Sequence, residues 1–221
     1  MDIGIFGGTF NPIHVGHLIV AEHIRECFRL TGIYFVPSAI PPHKEGPVLE
    51  GKHRLKMVAL ATYSNPFFYT SSMEVDRGGR SYTIDTVCQM RRELGEGHTF
   101  YFILGADAFR DISTWKDCAQ LLQSCRFIVI SRPGAKIGKI AEDLSITLKK
   151  HNLNLALKII GRKEAFQDID LHAADIFFVP VPKIDISSSI IRKMIRTGKS
   201  IRYQVPDEVE QYIVKNRLYL E

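Results

Sequence analysis

The sequence predicts a doubly wound α/β fold on a mostly parallel sheet. Three observations carry that expectation: short β-rich runs recur along the chain, most of them are continuously apolar, and helical patterns lie between them. Continuous apolar runs are what parallel strands need when both faces of the sheet are covered. Strand alternating with helix is the signature of such a sheet.

The elements follow in order. "IGIF" (3–6) is the first strand. The stretch "GHLIVAEHIRECFRL" after it predicts a helix beginning near Gly16, with Val20, Ile24, Cys27 and Phe28 on one face. "IYFV" (33–36) is the second strand, and "PSAIPPHKEGP" (37–47), with four prolines, reads as a long loop after it. A helix over 51–63, a strand at "FFYT" (67–70), an irregular loop at "VDRGGRS" (75–81) and a helix over 83–94 come next. Strands at "TFYFIL" (99–104), "RFIVI" (126–130), "LKII" (157–160) and "IFFV" (176–179) follow, with helices over 138–150, 188–197 and 206–217. The whole chain, 1–221, reads as one domain with a helical C-terminal portion from about 185. Long loops at the carboxyl ends of strands are where an open α/β sheet holds its ligands.

The bulk composition narrows the function. An apolar fraction of 45% and a charged fraction of 24% belong to a globular chain rather than a disordered one. The net charge of +5 mildly favours an anionic partner, and a compact nucleotide-phosphate site accounts for it as well as a nucleic-acid surface does. No run of basic residues forms a polynucleotide-binding tail, and no apolar run approaches the length of a membrane span. Cys27, Cys88, Cys118 and Cys125 make no CxxC pair, so neither a zinc site nor a disulfide framework is expected. Reduced, mostly buried thiols in a cytoplasmic protein, without nucleic-acid or membrane partners, fit better. Homo-oligomers remain open.

Chemistry concentrates first in "IGIFGGTFNPIHVGHL" (3–18). Gly7 and Gly8 end a strand, and His14 and His17 stand where the next helix begins. That corner presents backbone N–H groups and the positive end of a helix dipole to a phosphate, with two imidazoles converging on it. The alternative is a glycine turn with incidental histidines. The pattern is neither GxGxxG nor a P-loop, which disfavours a dinucleotide-dependent dehydrogenase.

"GGTFNPIHVGH" resembles the signature of the HxGH nucleotidylyltransferase superfamily, whose members join a nucleoside monophosphate to a phosphate acceptor and release pyrophosphate. A second stretch, "IDISSSIIRKMIRTG" (184–198), is similar to the ISSTxIR motif of that superfamily, with Ser189 where Thr is usual. Read from its residues, Ser187 caps a helix on which Ile190, Ile191, Met194 and Ile195 cluster, with Ile186 as a staple and Gly198 at the end. Ser188 and Arg192, four apart, share a face near its N-terminus and suit a triphosphate, or else the serines only cap a surface helix.

"PPHK" (41–44) and "RGGRSYTIDT" (77–86) together resemble the nicotinate-nucleotide adenylyltransferase branch. The resemblance runs from Gly4 to "VPDEVEQYI" (205–213), with nothing specific in 138–175. It implies a Rossmann-like sheet of order 3-2-1-4-5, which brings "ILGADAF" (103–109) beside the first motif. It implies an ATP site of Gly7, Gly8, Thr9, Phe10, His14, His17, Gly105, Asp107, Ile186, Ser187, Ser188, Ser189 and Arg192. It implies a nicotinate mononucleotide site of Gly8, Thr9, His43, Lys44, Tyr82, Thr83, Asp85, Thr86, Trp115 and Arg132.

The catalytic set it implies is His14, His17, Lys44 and Arg192. Mg2+ enters chiefly through the ATP phosphates, with no protein metal ligand named. On residue chemistry alone several of these stay open. Tyr82 and Asp85 can be structural, Asp107 can cap a helix, Trp115 can be core, and Arg132 can be an exposed turn residue.

Overall fold

The computed structural model describes residues 1–41, 48–131, 137–161, 164, 169–182 and 184–220. Among these residues seven strands form one sheet of order β3-β2-β1-β4-β5-β7-β6. They are β1 (Asp2–Gly8), β2 (Gly32–Pro37), β3 (Phe68–Thr70), β4 (Thr99–Gly105), β5 (Arg126–Ser131), β6 (Leu157–Ile159) and β7 (Ile176–Pro180). The expected order 3-2-1-4-5 is present and is continued by β7 and β6. Each pairing of β4 with β1 and β5, and of β7 with β5 and β6, is parallel.

The helices are α1 (Val15–Cys27), α2 (Gly51–Thr62), α3 (Met73–Arg77), α4 (Thr83–Leu94), α5 (Ala106–Phe109), α6 (Cys118–Ser124), α7 (Ile137–Lys150), α8 (Ser188–Arg196) and α9 (Asp207–Lys215), with a 3-10 turn at Ile112–Thr114. The long ones stand where periodicity puts them. The short helices α3, α5 and α6 and the 3-10 turn lie in stretches without an assigned element, because one or two turns are too short to show a period.

The chain divides into two compact units, each built from three stretches. The first comprises Met1–Gly7, His23–Ile33 and Tyr82–Lys183. Its strands β4, β5 and β7 are buried almost throughout, as continuous apolar runs require: Phe100, Phe127, Phe177 and Phe178 are fully buried. Phe109 links the rings, 5.7 Å from Phe127 and 5.8 Å from Phe178 between centroids. On α1 Ile24 and Cys27, and Phe28 directly after it, are buried as their spacing predicts.

The second unit comprises Gly8–Glu22, Tyr34–Ser81 and Ile184–Glu221. Two stretches expected to be irregular meet in it. Val75 to Arg77 close the short helix α3, while Ile40 and Arg80 form a parallel bridge. Ile40 N donates to Gly79 O at 3.2 Å, and Ser81 N donates to Ile40 O at 3.0 Å. The two loops satisfy each other's backbone, which local sequence cannot show.

Of the four cysteines, Cys27, Cys118 and Cys125 are buried and Cys88 is half-buried, all as free thiols. Burial pushes the Cys125 thiol up to about 12, so it stays protonated and unreactive near neutral pH.

Candidate active site

In the second unit the loop from Gly8 to His14 is held by its carbonyls. Gly8 O accepts from Ser38 N at 2.9 Å and His14 O from His17 N at 2.9 Å. Thr9 O accepts from Arg54 Nη1 at 2.8 Å, Pro12 O from Ser188 Oγ at 2.8 Å, and Asn11 O from Arg192 Nη1 at 2.7 Å. These donors come from α1, α2, α8 and the residue after β2. Carbonyl dipoles bound to protein donors cannot face an incoming anion.

His14 and His17 stand at the start of α1 with ring centroids 3.7 Å apart. His14 N donates to His17 Nδ1 at 3.2 Å, so in the neutral ring the proton sits on Nε2 and makes that atom a donor. His14 is buried and Phe10 packs edge-on against His17, 5.1 Å between centroids. Gly16 eases this packing: a Cβ there would press on His14 Nδ1 at 3.0 Å and on Ile184 Cγ2 at 3.3 Å. A Cβ on Gly8 would lie 2.9 Å from the Phe10 ring, and one on Gly7 2.8 Å from the Phe102 ring. The glycines therefore admit neighbouring rings, a reason the sequence does not show. At the α1 terminus Val15 N donates to Gln204 O, so one N–H expected to face phosphate is already engaged.

Helix α8 supplies the distant half. Ser187 caps it, accepting from Ile190 N at 3.3 Å, and its hydroxyl lies 3.1 Å from Ser189 Oγ. Ser188 and Arg192 share a face, as their spacing predicts, and both bind the loop before His14. The guanidinium uses one donor on Asn11 O and keeps the rest of its fork. Ile186 is half-buried ahead of the cap. The apolar cluster is smaller than its spacing suggests: Ile191 is buried, but Ile190 is 48% exposed.

The first unit holds the other candidates. Phe6 pairs with Ile103, so Gly7 and Gly105 lie at the same ends of neighbouring strands. Gly105 leads into α5 with no side-chain cap, and exposed Asp107 pairs with Arg110 at 3.1 Å, so the capping role for Asp107 does not hold. Trp115 is half-buried and lies 6.4 Å from Phe102, edge to face.

At the start of α4, Tyr82 and Thr83 are half-buried. Thr86 is fully buried and donates to Tyr82 O at 3.3 Å, which leaves its hydroxyl inside the helix turn. Asp85 accepts from Lys116 Nζ at 2.9 and 3.0 Å, and the same ammonium stands 5.0 Å over the Tyr82 ring. The hydrogen bond to Asp85 holds the Lys116 pKa above its ordinary value. His43, Lys44 and Arg132 lie outside the described residues.

Four participants escape the sequence reading. Asn11 lies inside the first motif and was passed over for its neighbours. Arg54 left a signal, a charge on the apolar face of α2 with Met57, Val58 and Ala61. Lys116 and Tyr219 left none.

Among the described residues no group of three or more His, Cys, Asp or Glu side chains could hold a metal ion, and no helix is long and apolar enough to cross a membrane.

Residues 5–194 match the family model described as cytidylyltransferase-like. The chain is 42% identical over 220 residues to a probable nicotinate-nucleotide adenylyltransferase of Thermoanaerobacter sp. (strain X514), covering 99% of this chain and 94% of that protein. It is 43% identical over 218 residues to a protein of the same name from Moorella thermoacetica, covering 98% and 91%. A solved Plasmodium falciparum nicotinic acid mononucleotide adenylyltransferase, complexed with NaAD, shares the fold at a TM-score of 0.71 and 24% identity, covering 99% of this chain and 97% of that one.

Proposed function

The chain belongs to the cytidylyltransferase-like family and, within it, to the nicotinate-nucleotide adenylyltransferases, and from that membership we propose the reaction its residues serve. It transfers the adenylyl group of ATP to nicotinate mononucleotide, giving deamido-NAD and pyrophosphate, a step of NAD biosynthesis. The observation that carries this reading is the attachment of α8 to the loop ahead of His14 through Arg192 and Ser188. Residues of two distant motifs thereby present hydroxyls, imidazoles and a guanidinium in one unit, the donor set a polyphosphate needs.

A phosphate oxygen of nicotinate mononucleotide attacks the α-phosphorus of ATP. The new P–O bond forms as the bond to the β-phosphate breaks, and its electron pair leaves on pyrophosphate. The nucleophile is already an anion, so the step requires no general base. Catalysis is then positioning plus neutralisation of moving charge. His14 and His17 hold the α- and β-phosphates, with the His17 proton on Nε2 as a directed donor. Arg192, Ser187, Ser188, Ser189 and the N-terminus of α8 hold the rest of the triphosphate, with Lys44 adding positive charge. Gly7, Gly8, Thr9, Phe10 and Ile186 line the nucleotide, and Gly105 and Asp107 meet a ribose.

Tyr82, Thr83, Asp85 and Trp115 serve the pyridine ring and its carboxylate, Thr86 acts by shaping the turn beneath them, and His43 and Arg132 serve the acceptor. Magnesium would enter as part of the ATP substrate and would supply neutralisation of the phosphate charge.

The test is pyrophosphate release from ATP and magnesium with nicotinate mononucleotide, nicotinamide mononucleotide or phosphopantetheine in turn. The acid mononucleotide is expected to turn over fastest. A preference for the amide would move the acceptor assignment, and ATP binding without pyrophosphate from any acceptor would sink the catalytic reading.

A further inference from the structure

Among the described residues Arg54, a cation that water would ordinarily solvate, is the largest fully buried side chain. Its guanidinium instead donates to three carbonyls in three segments: Leu49 O at 2.6 Å, Thr9 O at 2.8 Å and Ala39 O at 2.8 Å. Those are the glycine loop and the two flanks of the 40–48 segment. A buried cation is retained when its donors are satisfied and its charge is balanced, and Glu74, also buried, supplies opposite charge nearby.

The neighbouring residue on α2 does a related job. His53 Nδ1 lies 2.9 Å from the Tyr212 hydroxyl and so ties α9 to α2. After α9 the chain turns back, with Leu218 N donating to Ile213 O at 3.0 Å and Arg217 at φ 50°. That turn delivers Tyr219, whose hydroxyl donates to Asn11 Oδ1 at 2.8 Å. Desolvation raises the Tyr219 pKa while Arg192 and Arg54 oppose the rise, which sets the hydroxyl near both guanidinium groups.

We propose that Arg54 and Tyr219 form a bracket under the Thr9–Asn11 loop and are positioning residues for adenylyl transfer. Arg54 holds the loop's main chain at Thr9, and Tyr219 holds the side chain of Asn11, the residue whose main-chain carbonyl binds Arg192. The bracket touches no substrate. It fixes the loop so that His14, His17 and Arg192 meet the triphosphate without reorganising during the reaction. This rests on the proposed function for its catalytic part, but the holding of the loop stands independently of it.

Two variants and two readouts test the bracket. Tyr219→Phe keeps the ring and removes the hydroxyl; Arg54→Lys keeps the charge and removes the fork. Hydrogen–deuterium exchange of the free protein should show amides of residues 8–17 exchanging roughly tenfold faster in each variant, with β4 and β5 unchanged. With ATP and nicotinate mononucleotide, kcat should fall roughly tenfold for Tyr219→Phe and more for Arg54→Lys, while the KM for ATP moves by less than about threefold.

Unchanged exchange at 8–17 in Tyr219→Phe overturns the proposal, and so does faster exchange with wild-type kcat. If wild-type protein makes no deamido-NAD, the proposed reaction is wrong, and the exchange measurement alone still decides whether the bracket holds the loop.

Discussion

Two helix N-termini in this protein read alike in sequence and differ in structure. α8 opens with Ser187 as a side-chain cap, has no acid in its first turn, and commits Ser188 and Arg192 to carbonyls of the Asn11–Pro12 loop. α4 opens at Tyr82 without a side-chain cap and carries Asp85 in its first turn, neutralised by Lys116. Both present orphan N–H groups and the positive end of a dipole. The difference is in how much charge each can meet. α8 adds a guanidinium and hydroxyls to its dipole and has no acid in its first turn, which suits a triphosphate. α4 commits the Lys116 ammonium beside it to its own carboxylate and keeps little beyond its dipole, which suits one carboxylate of an acceptor. A helix terminus alone therefore says little; the side chains around it set the ligand.

The strongest way to break this contrast is at the imidazoles, which follow the loop that α8 holds. His17→Ala should lower kcat for pyrophosphate release by roughly a hundred- to a thousand-fold, as loss of a preorganised donor does. A variant within about threefold of wild type would remove the polyphosphate from this end.

Arg192→Lys comes next. An ammonium is a point charge and cannot both hold Asn11 O and present a fork, so kcat/KM for ATP should fall by roughly ten- to a hundred-fold, measured at saturating nicotinate mononucleotide. Full rescue by lysine would mean that charge alone matters there.

At the other terminus the effect is smaller and specific to the acceptor. Lys116→Met uncovers Asp85 and should raise the KM for nicotinate mononucleotide by about three- to tenfold, leaving the KM for ATP unchanged. The pair is exposed, so the effect should shrink as salt is raised. A matching rise in both KM values would end the division of labour between the helices.

Smallest is the cap itself. Ser187→Ala should cost about 1 kcal/mol of stability and about 2–4 °C of Tm by calorimetry, because Ile190 N loses its acceptor. No change would make Ser187 a ligand residue rather than a cap.

Much of the fold was legible because it obeys local rules. Ile24, Cys27 and Phe28 recur at helical spacing, and β4, β5 and β7 are apolar without a break, which only a doubly covered strand tolerates. The short helices α3, α5 and α6 were not legible, since a turn or two leaves no period to read. In the site, His14, His17, Ser188 and Arg192 stood out by residue type and spacing. Asp107 was misjudged as a possible cap because spacing shows that a carboxylate is near a helix start, not whether it turns inward; it pairs with Arg110 instead. Arg54 was visible as a charge on an apolar face, but its three carbonyls lie in segments that only folding brings together.

The sequence by itself determined the alternation of strand and helix, the glycine-to-histidine corner, the cap of α8 and the family to which these motifs point. All of these depend on a residue and its neighbours within a few positions. Only the tertiary structure decided that Arg192 binds the carbonyl of Asn11, that Arg54 and Tyr219 hold the same loop, and that Lys116 covers Asp85. Hydrogen bonds between residues far apart in the chain depend on where the backbone has been carried, and side-chain pattern along a line contains no measure of that distance.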